Sequence, residues 1–465
     1  MVLLLSAGLN LSCHKTEPFP QNGILSVTLN IQPNQPSYRI PDDFIGISIE
    51  MLLVTQGYVD VNNATLVHLF GALGSKGVIR VGAGSVETTY WTGHNRNGSR
   101  STDSLYKDDV DRLFAFARAV GWKVIWGLNL ANSKPDIAAN EALYIQATGD
   151  TTLEAVELGN EPDLYTLSGF RQAGYSETDY ESEWISFYNA IHGAAPDLPF
   201  IGPGTADDLD WLLPFIKDEA PQLRGISNHY YKMGPPGADG VTISHLLATD
   251  GKFDGQVSQI VSACRNTGLT LRMEECNTVF GGGTPGLSNA LASSLWGLDF
   301  LFGLAQLNAG GVNFHMVPNN YYTPIFDQNK VPVAKPLYYG MLMFAMGSHG
   351  RMIPLQLQKQ NALLNITAYA VLQDDGRVNA VIINKDPSNV ALVTINTGLK
   401  TNIQEVTGVE LSAPTLESTS SVTLGEDSVG QDGLLHNIHP EIIPFAQKKV
   451  TLAVPRSSAM LVQIQ

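Results

Sequence analysis

Eight short apolar runs, separated by stretches of helical period, occupy the chain from residue 44 to residue 315: Phe44–Ile49, Val78–Val81, Val124–Leu128, Ala155–Leu158, Phe200–Gly202, Ile226–Tyr230, Thr270–Met273 and Val312–His315. Such alternation calls for parallel strands covered by helices, and eight is the number that closes a (β/α)8 barrel. Most of the runs are continuously apolar, as strands buried on both faces are. Between them, Val110, Leu113, Phe114 and Ala117 stand at i, i+3, i+4 and i+7, alongside Asp108, Asp109 and Asp111, which favour a helix N-terminus. Thr178–His192, Gln256–Asn266 and Ser288–Leu307 read the same way.

After Gly350 the helical period stops. Short β-type runs follow at Leu363–Ala368, Val378–Ile383, Val390–Ile395, Ile403–Val409, Lys448–Leu452 and Ala459–Ile464, the pattern of an antiparallel β-sandwich. Ile24–Ile31 alternates as a strand and is expected to join that sandwich, with the Ser/Thr/Gly-rich stretch from Ser412 to Gly433 as its loops. The expected organisation is a leader or tether over 1–20, a sandwich strand over 21–38, an α/β catalytic barrel (a TIM barrel) over 39–349 and the sandwich over 350–465.

Charge and cysteine usage narrow the function. With 28 basic against 44 acidic residues and a net charge of −16, the chain lacks the basic face that releases counterions from nucleic acid. Three cysteines, Cys13, Cys264 and Cys276, make neither a disulfide framework nor a zinc pattern. Met1 to Ser12 is mostly apolar and ends at Cys13, ahead of a polar stretch from His14 to Pro20. This resembles the end of a bacterial lipoprotein leader, so the expectation is an exported protein, periplasmic or on the outer membrane, with a lipid anchor at Cys13.

Barrel enzymes place their chemistry where strands end and the following loops begin. The fourth run leads into Glu157-Leu158-Gly159-Asn160-Glu161-Pro162-Asp163, and the seventh into Arg272-Met273-Glu274-Glu275-Cys276-Asn277. Two carboxylates facing each other across one mouth are what a retaining glycosidase requires, one as general acid/base and one as nucleophile. Glu274 and Glu275 compete for the second role; an alternating strand points them to opposite faces. No metal is implied, since His229 and His315 lack a third partner, and no cofactor motif is present. Cys276 reads as packing, and Trp91 and Trp126 suit either sugar stacking or the core.

These motifs resemble the clan A glycoside hydrolases, and most of all family 79, the β-glucuronidases and heparanases. The matching pieces are Phe44–Glu50, Leu158–Asp163, Asn228–Tyr231, Arg272–Asn277 with Gly281–Gly283, Gly311–His315, Asn320–Ile325, Leu411–Pro414 and Val422–Gly425. The resemblance implies Glu161 as acid/base, Glu275 as nucleophile, Asn160 on the sugar 2-OH and Tyr230 supporting the nucleophile. It further implies that Tyr321 and the amide of Asn320 read the glucuronate carboxylate. Phe280 stands where a Tyr is usual, and Glu87 where a sugar-binding Asp is usual. His315 is expected to orient substrate. The expected activity is exo-acting β-glucuronidase on a glucuronide or glucuronate-containing oligosaccharide; the alternatives are heparanase-like endo cleavage and carbohydrate binding without catalysis.

Overall fold

The computed structural model describes residues 23–206 and 208–465, so the proposed anchor at Cys13 and the stretch before it lie outside the described residues. Eight parallel strands close into a barrel, in chain order Ile45–Glu50, Val78–Gly82, Lys123–Leu128, Leu153–Leu158, Phe200–Thr205, Leu223–Met233, Leu271–Val279 and Gly311–Met316. They are called barrel strands 1 to 8 below. Strand 8 returns to strand 1 with Val312 opposite Ile45, which seals the ring. Each predicted run lies within or against one of these strands.

Local chemistry sets the helices between them. Glu177–Ala194 begins with a capping box, Ser176 and Asp179 each satisfying the other's backbone N–H. Lys107–Val120 carries Asp108 and Asp109 in its first turn and ends on Gly121, whose φ of 76° is the left-handed stop that glycine supplies cheaply. One helix had no readable period. Pro336–Gly347, PLYYGMLMFAMG, is apolar on nearly every face because it is packed between the helix Leu291–Gln306 and the sandwich.

The second body is two packed sheets. One runs Leu355–Lys359, Ile24–Ile31, Val390–Asn396, Lys449–Val454 and Phe445–Ala446; the other is built on Ile366–Leu372, Val378–Asn384, Ser458–Ile464 and Val406–Ser412. The strand Ile24–Ile31 does enter the sandwich, antiparallel to Leu355–Lys359 and parallel to Val390–Asn396, so one pairing departs from the all-antiparallel pattern. Val27, Leu29 and Ile31 face the core between the sheets. The Ser412–Gly433 loops also serve the barrel: the carbonyls of Leu416 and Ser418 accept from Ala292 and Leu291, orphan donors at the start of Leu291–Gln306.

Candidate active site

Barrel strand 7 does not alternate where alternation was expected. Its register against strand 6 shifts between Met273 and Glu275, and against strand 8 between Met273 and Cys276. A bulge of this kind re-aims side chains. Both Glu274 and Glu275 consequently face Arg80, at 3.8 Å and 3.0 Å, and the expectation that Glu274 points to the opposite face is overturned. Depth separates them instead: Glu274 is sealed at 0% exposure, whereas Glu275 retains 5% at the barrel mouth.

Arg80 organises the floor of the site. From the middle of strand 2 its guanidinium donates to Glu157 Oε2 at 2.9 Å, to Glu275 Oε2 at 3.0 Å and to Asn160 Oδ1 at 2.9 Å. The other oxygen of Glu275 accepts from the Tyr231 hydroxyl at 2.9 Å and lies 3.2 Å from His315 Nδ1. Burial alone would raise the Glu275 carboxyl; the positive His315, His229 and Arg80, with the Tyr231 hydrogen bond, outweigh it and bring it down to about 2. Glu275 is therefore ionised at any working pH, as a nucleophile must be. Burial disfavours charge on His315 too, but Glu275 and Glu50 raise it above the ordinary imidazole range. Glu50, at the end of strand 1, lies 3.5 Å from His315 Nε2 and accepts from Ser85 Oγ and N.

Glu161 follows strand 4 with its backbone in the left-handed region, φ 50°. Its N–H donates to Gly204 O, and its Oε1 lies 2.9 Å from His229 Nδ1. His229 is buried, which disfavours its charge, yet Glu275, Glu161 and Glu274 raise it to about 10. Ligand-type atoms of Glu161, His229 and Glu275 lie within 4.8 Å of one another. In this arrangement His229 Nδ1 is engaged with Glu161 and its other ring nitrogen faces Glu274.

No family model matches the chain. A β-glucuronidase of Aspergillus niger is 27% identical over 431 residues, covering 82% of this chain and 79% of that protein. Mouse heparanase is 26% identical over 239 residues, covering 46% of this chain and 43% of its own length. The chain is a relative of the β-glucuronidases and heparanases of glycoside hydrolase family 79. Among solved structures, a 4-O-α-L-rhamnosyl-β-D-glucuronidase from Fusarium oxysporum, determined with Rha-GlcA, superposes with a TM-score of 0.75 at 18% identity, covering 94% of this chain and 99% of that one. An arabinofuranosidase of family 51 from Xanthomonas axonopodis pv. citri gives 0.74 at 18%, over 95% and 100%. At that identity these two establish the barrel-and-sandwich fold.

Several residues expected in this family 79 relative's site take other places. Tyr230 does not support the nucleophile: its hydroxyl donates to Asp250 at 2.8 Å and its ring packs on Phe253 and Phe300, outside the barrel. Tyr231 does so instead, because Ser227, His229 and Tyr231 share the inward face of strand 6 by the period of two, reaching Glu157, Glu161 and Glu275 in turn. Glu87 is buried and accepts from the N–H groups of Leu130, Ala131 and Asn160 and from the Tyr165 hydroxyl, so it braces loops and is not a sugar ligand. The Asn320 amide is committed to Val317 O, which removes it as a carboxylate donor. Tyr321 is half-exposed, and Phe280, also exposed, stands edge-on to Tyr231. Tyr322, which sequence reasoning passed over, puts its hydroxyl 3.3 Å from His315 Nδ1. Asn160 gives Oδ1 to Arg80, and among the described residues its Nδ2 has no acceptor, leaving a donor for a sugar hydroxyl. Trp126 is core, stacked on Phe114 and bonded to Glu141, and Trp91 packs on Tyr144 and Asn140. Burial raises the Cys276 thiol far above its ordinary range, which leaves it inert.

Proposed function

We propose that this glycoside hydrolase is a retaining, exo-acting β-glucuronidase that removes terminal β-D-glucuronate. The observation that carries the reading is the Glu161–Glu275 pair at the ends of strands 4 and 7, with atoms within 4.8 Å of one another. Carboxyl oxygens this near each other accord with the ~5–5.5 Å carboxyl separation of retaining enzymes. Glu275 attacks the anomeric carbon while Glu161 protonates the departing oxygen. The glycosyl ester removes the Glu275 charge, and Glu161, now ionised, takes a proton from the water that hydrolyses the ester. Two negative charges are thus never required on the facing pair during attack.

Exo action on short glucuronides is favoured over cleavage inside sulfated chains by where the cations go. Arg96, Arg100 and Arg112 are matched by Asp60, Asp108 and Asp109, and Lys232 pairs with Asp250, so these basic residues near the strand ends already have counter-charges. A sulfated polysaccharide would meet a mouth with little positive field. Recognition of the sugar carboxylate then falls to hydroxyls such as Tyr321 and Tyr322. The test is kcat/KM for nitrophenyl β-D-glucuronide against the matched β-D-glucoside. A strong glucuronide preference is expected. Preference for the glucoside, or activity on heparan-type oligosaccharides alone, overturns the assignment of substrate while leaving the catalytic pair intact.

A further inference from the structure

Directly beneath the catalytic pair lies a carboxylate that the reaction does not use. Glu274 is fully buried, and apart from its neighbour Glu157 neither of its oxygens has a hydrogen-bond partner among the described residues. His229 Nε2, itself without a partner, faces Glu274 Oε1 at 3.6 Å. The opposite ring nitrogen, Nδ1, is the one that meets Glu161 Oε1 at 2.9 Å. The imidazole therefore stands as a strut between a sealed carboxylate and the acid/base.

Arg80 also faces Glu274, at 3.8 Å, but spends its hydrogen bonds on Glu157, Glu275 and Asn160, so it leaves the Glu274 oxygens without a donor. Both Glu157 oxygens are met by donors, Oε1 by the Ser227 hydroxyl and Oε2 by Arg80; burial and the adjacent Glu274 push the Glu157 carboxyl up, while for Glu274 the Glu157 contact, Arg80 and His229 outweigh burial and hold its carboxyl down. A buried anion is costly unless cations and donors meet it; beside Glu157 and Arg80, the His229 Nε2 edge is the further polar group that faces Glu274. Glu161 in turn needs an anchor, since its residue occupies a left-handed backbone conformation at the start of a loop.

Resting on the reading of Glu161 as acid/base, we propose that Glu274 is a positioning residue that acts through His229. Glu274 accepts Nε2–H, which fixes the ring so that Nδ1–H is donated to Glu161 Oε1. An oxygen accepting from an imidazolium is not the protonated one, so the transferable proton sits on Oε2, free to reach the glycosidic oxygen. Second carboxylates orient histidines in this way behind metal ligands, where the outer partner fixes the ring and its tautomer.

Leaving groups of different basicity test it. Phenyl β-D-glucuronide needs its oxygen protonated in the first step, whereas 2,4-dinitrophenyl β-D-glucuronide departs without help. In Glu274→Gln, kcat/KM for the phenyl substrate is expected to fall about tenfold or more, a partial loss of general acid catalysis, with the dinitrophenyl substrate changed less than about twofold. Equal losses on both would mean that Glu274 is only a structural filler, and no loss on either would mean it is idle; both overturn the proposal. Adding Glu274→Gln to Glu161→Gln should cost nothing further on the phenyl substrate, and a full additional loss also overturns it. Should the variant fail to fold, 15N spectra of the wild-type protein decide: both His229 nitrogens are expected to carry protons near neutral pH, and a neutral ring sinks the idea. If the wild-type enzyme cleaves no β-glucuronide, the reaction reading fails alone, because the spectra read the strut without substrate.

Discussion

Arg80 interrupts the apolar run Val-Ile-Arg-Val in strand 2, and a fully buried guanidinium in such a run needs fixed acceptors. It finds Glu157, Asn160 and Glu275, one of them the proposed nucleophile. Tyr231 adds a single hydroxyl to Glu275, and that makes it the cleanest residue to test. Tyr231→Phe removes a donor to a buried carboxylate, and kcat/KM is expected to fall by about one to two orders of magnitude, as for other preorganised donors. Tyr230→Phe should leave kcat/KM near wild type while lowering stability by about 1 kcal/mol through the lost bond to Asp250. Steady-state kinetics and urea unfolding of the two variants separate these effects; the reverse pattern would return the nucleophile's support to Tyr230. The pair also marks what was legible. Glu161 and Glu275 stand out because strand ends in a barrel carry chemistry. Which of two adjacent tyrosines faces inward depends on register, and the clue lay in the polar residues Ser227, His229 and Tyr231 spaced by two.

At the scale of elements, loops after three strands are locked to one another by one side chain. Glu87, after strand 2, receives N–H groups from the loop after strand 3 and from Asn160 after strand 4. A carboxylate accepts all of these; an amide replaces one acceptor oxygen with an NH2 group that only donates. Glu87→Gln is therefore expected to strand at least one buried N–H, costing about 1–3 kcal/mol, and to displace Asn160 and Glu161 together. The measurable consequence is a lower Tm with kcat reduced and KM little changed; full kcat with normal Tm would show that the brace is dispensable. Sequence reasoning placed Glu87 in the pocket by position in its motif, but burial and donor count place it behind the pocket. The bulge in strand 7 was beyond reach for a similar reason. Alternation is a property of regular strands, and nothing in Met-Glu-Glu-Cys announces the extra residue that turns Glu274 inward.

Across the whole molecule, the barrel and the sandwich are joined by a buried polar contact as well as by apolar packing. Asp299, on the helix Leu291–Gln306, accepts from Thr367 Oγ1 at 2.6 Å, Tyr369 OH at 2.8 Å and Lys385 Nζ at 2.6 Å, all three from the sandwich. Lys385 is 2% exposed, so removing Asp299 strips a nearly buried ammonium of the carboxylate it is bonded to. Asp299→Ala is expected to cost about 1–3 kcal/mol, the range for losing a charge-assisted hydrogen-bond partner at a partly buried site. Changing Asp299→Ala and Lys385→Met together should restore much of that loss, because the stranded charge goes with its partner. Urea unfolding of both variants checks this, alongside kcat/KM at a temperature well below Tm. Unchanged activity with reduced stability would assign the sandwich to holding the barrel closed. Equal stability of Asp299→Ala and wild type would mean that water reaches Lys385 and that apolar packing alone, chiefly through Pro336–Gly347, holds the two bodies together.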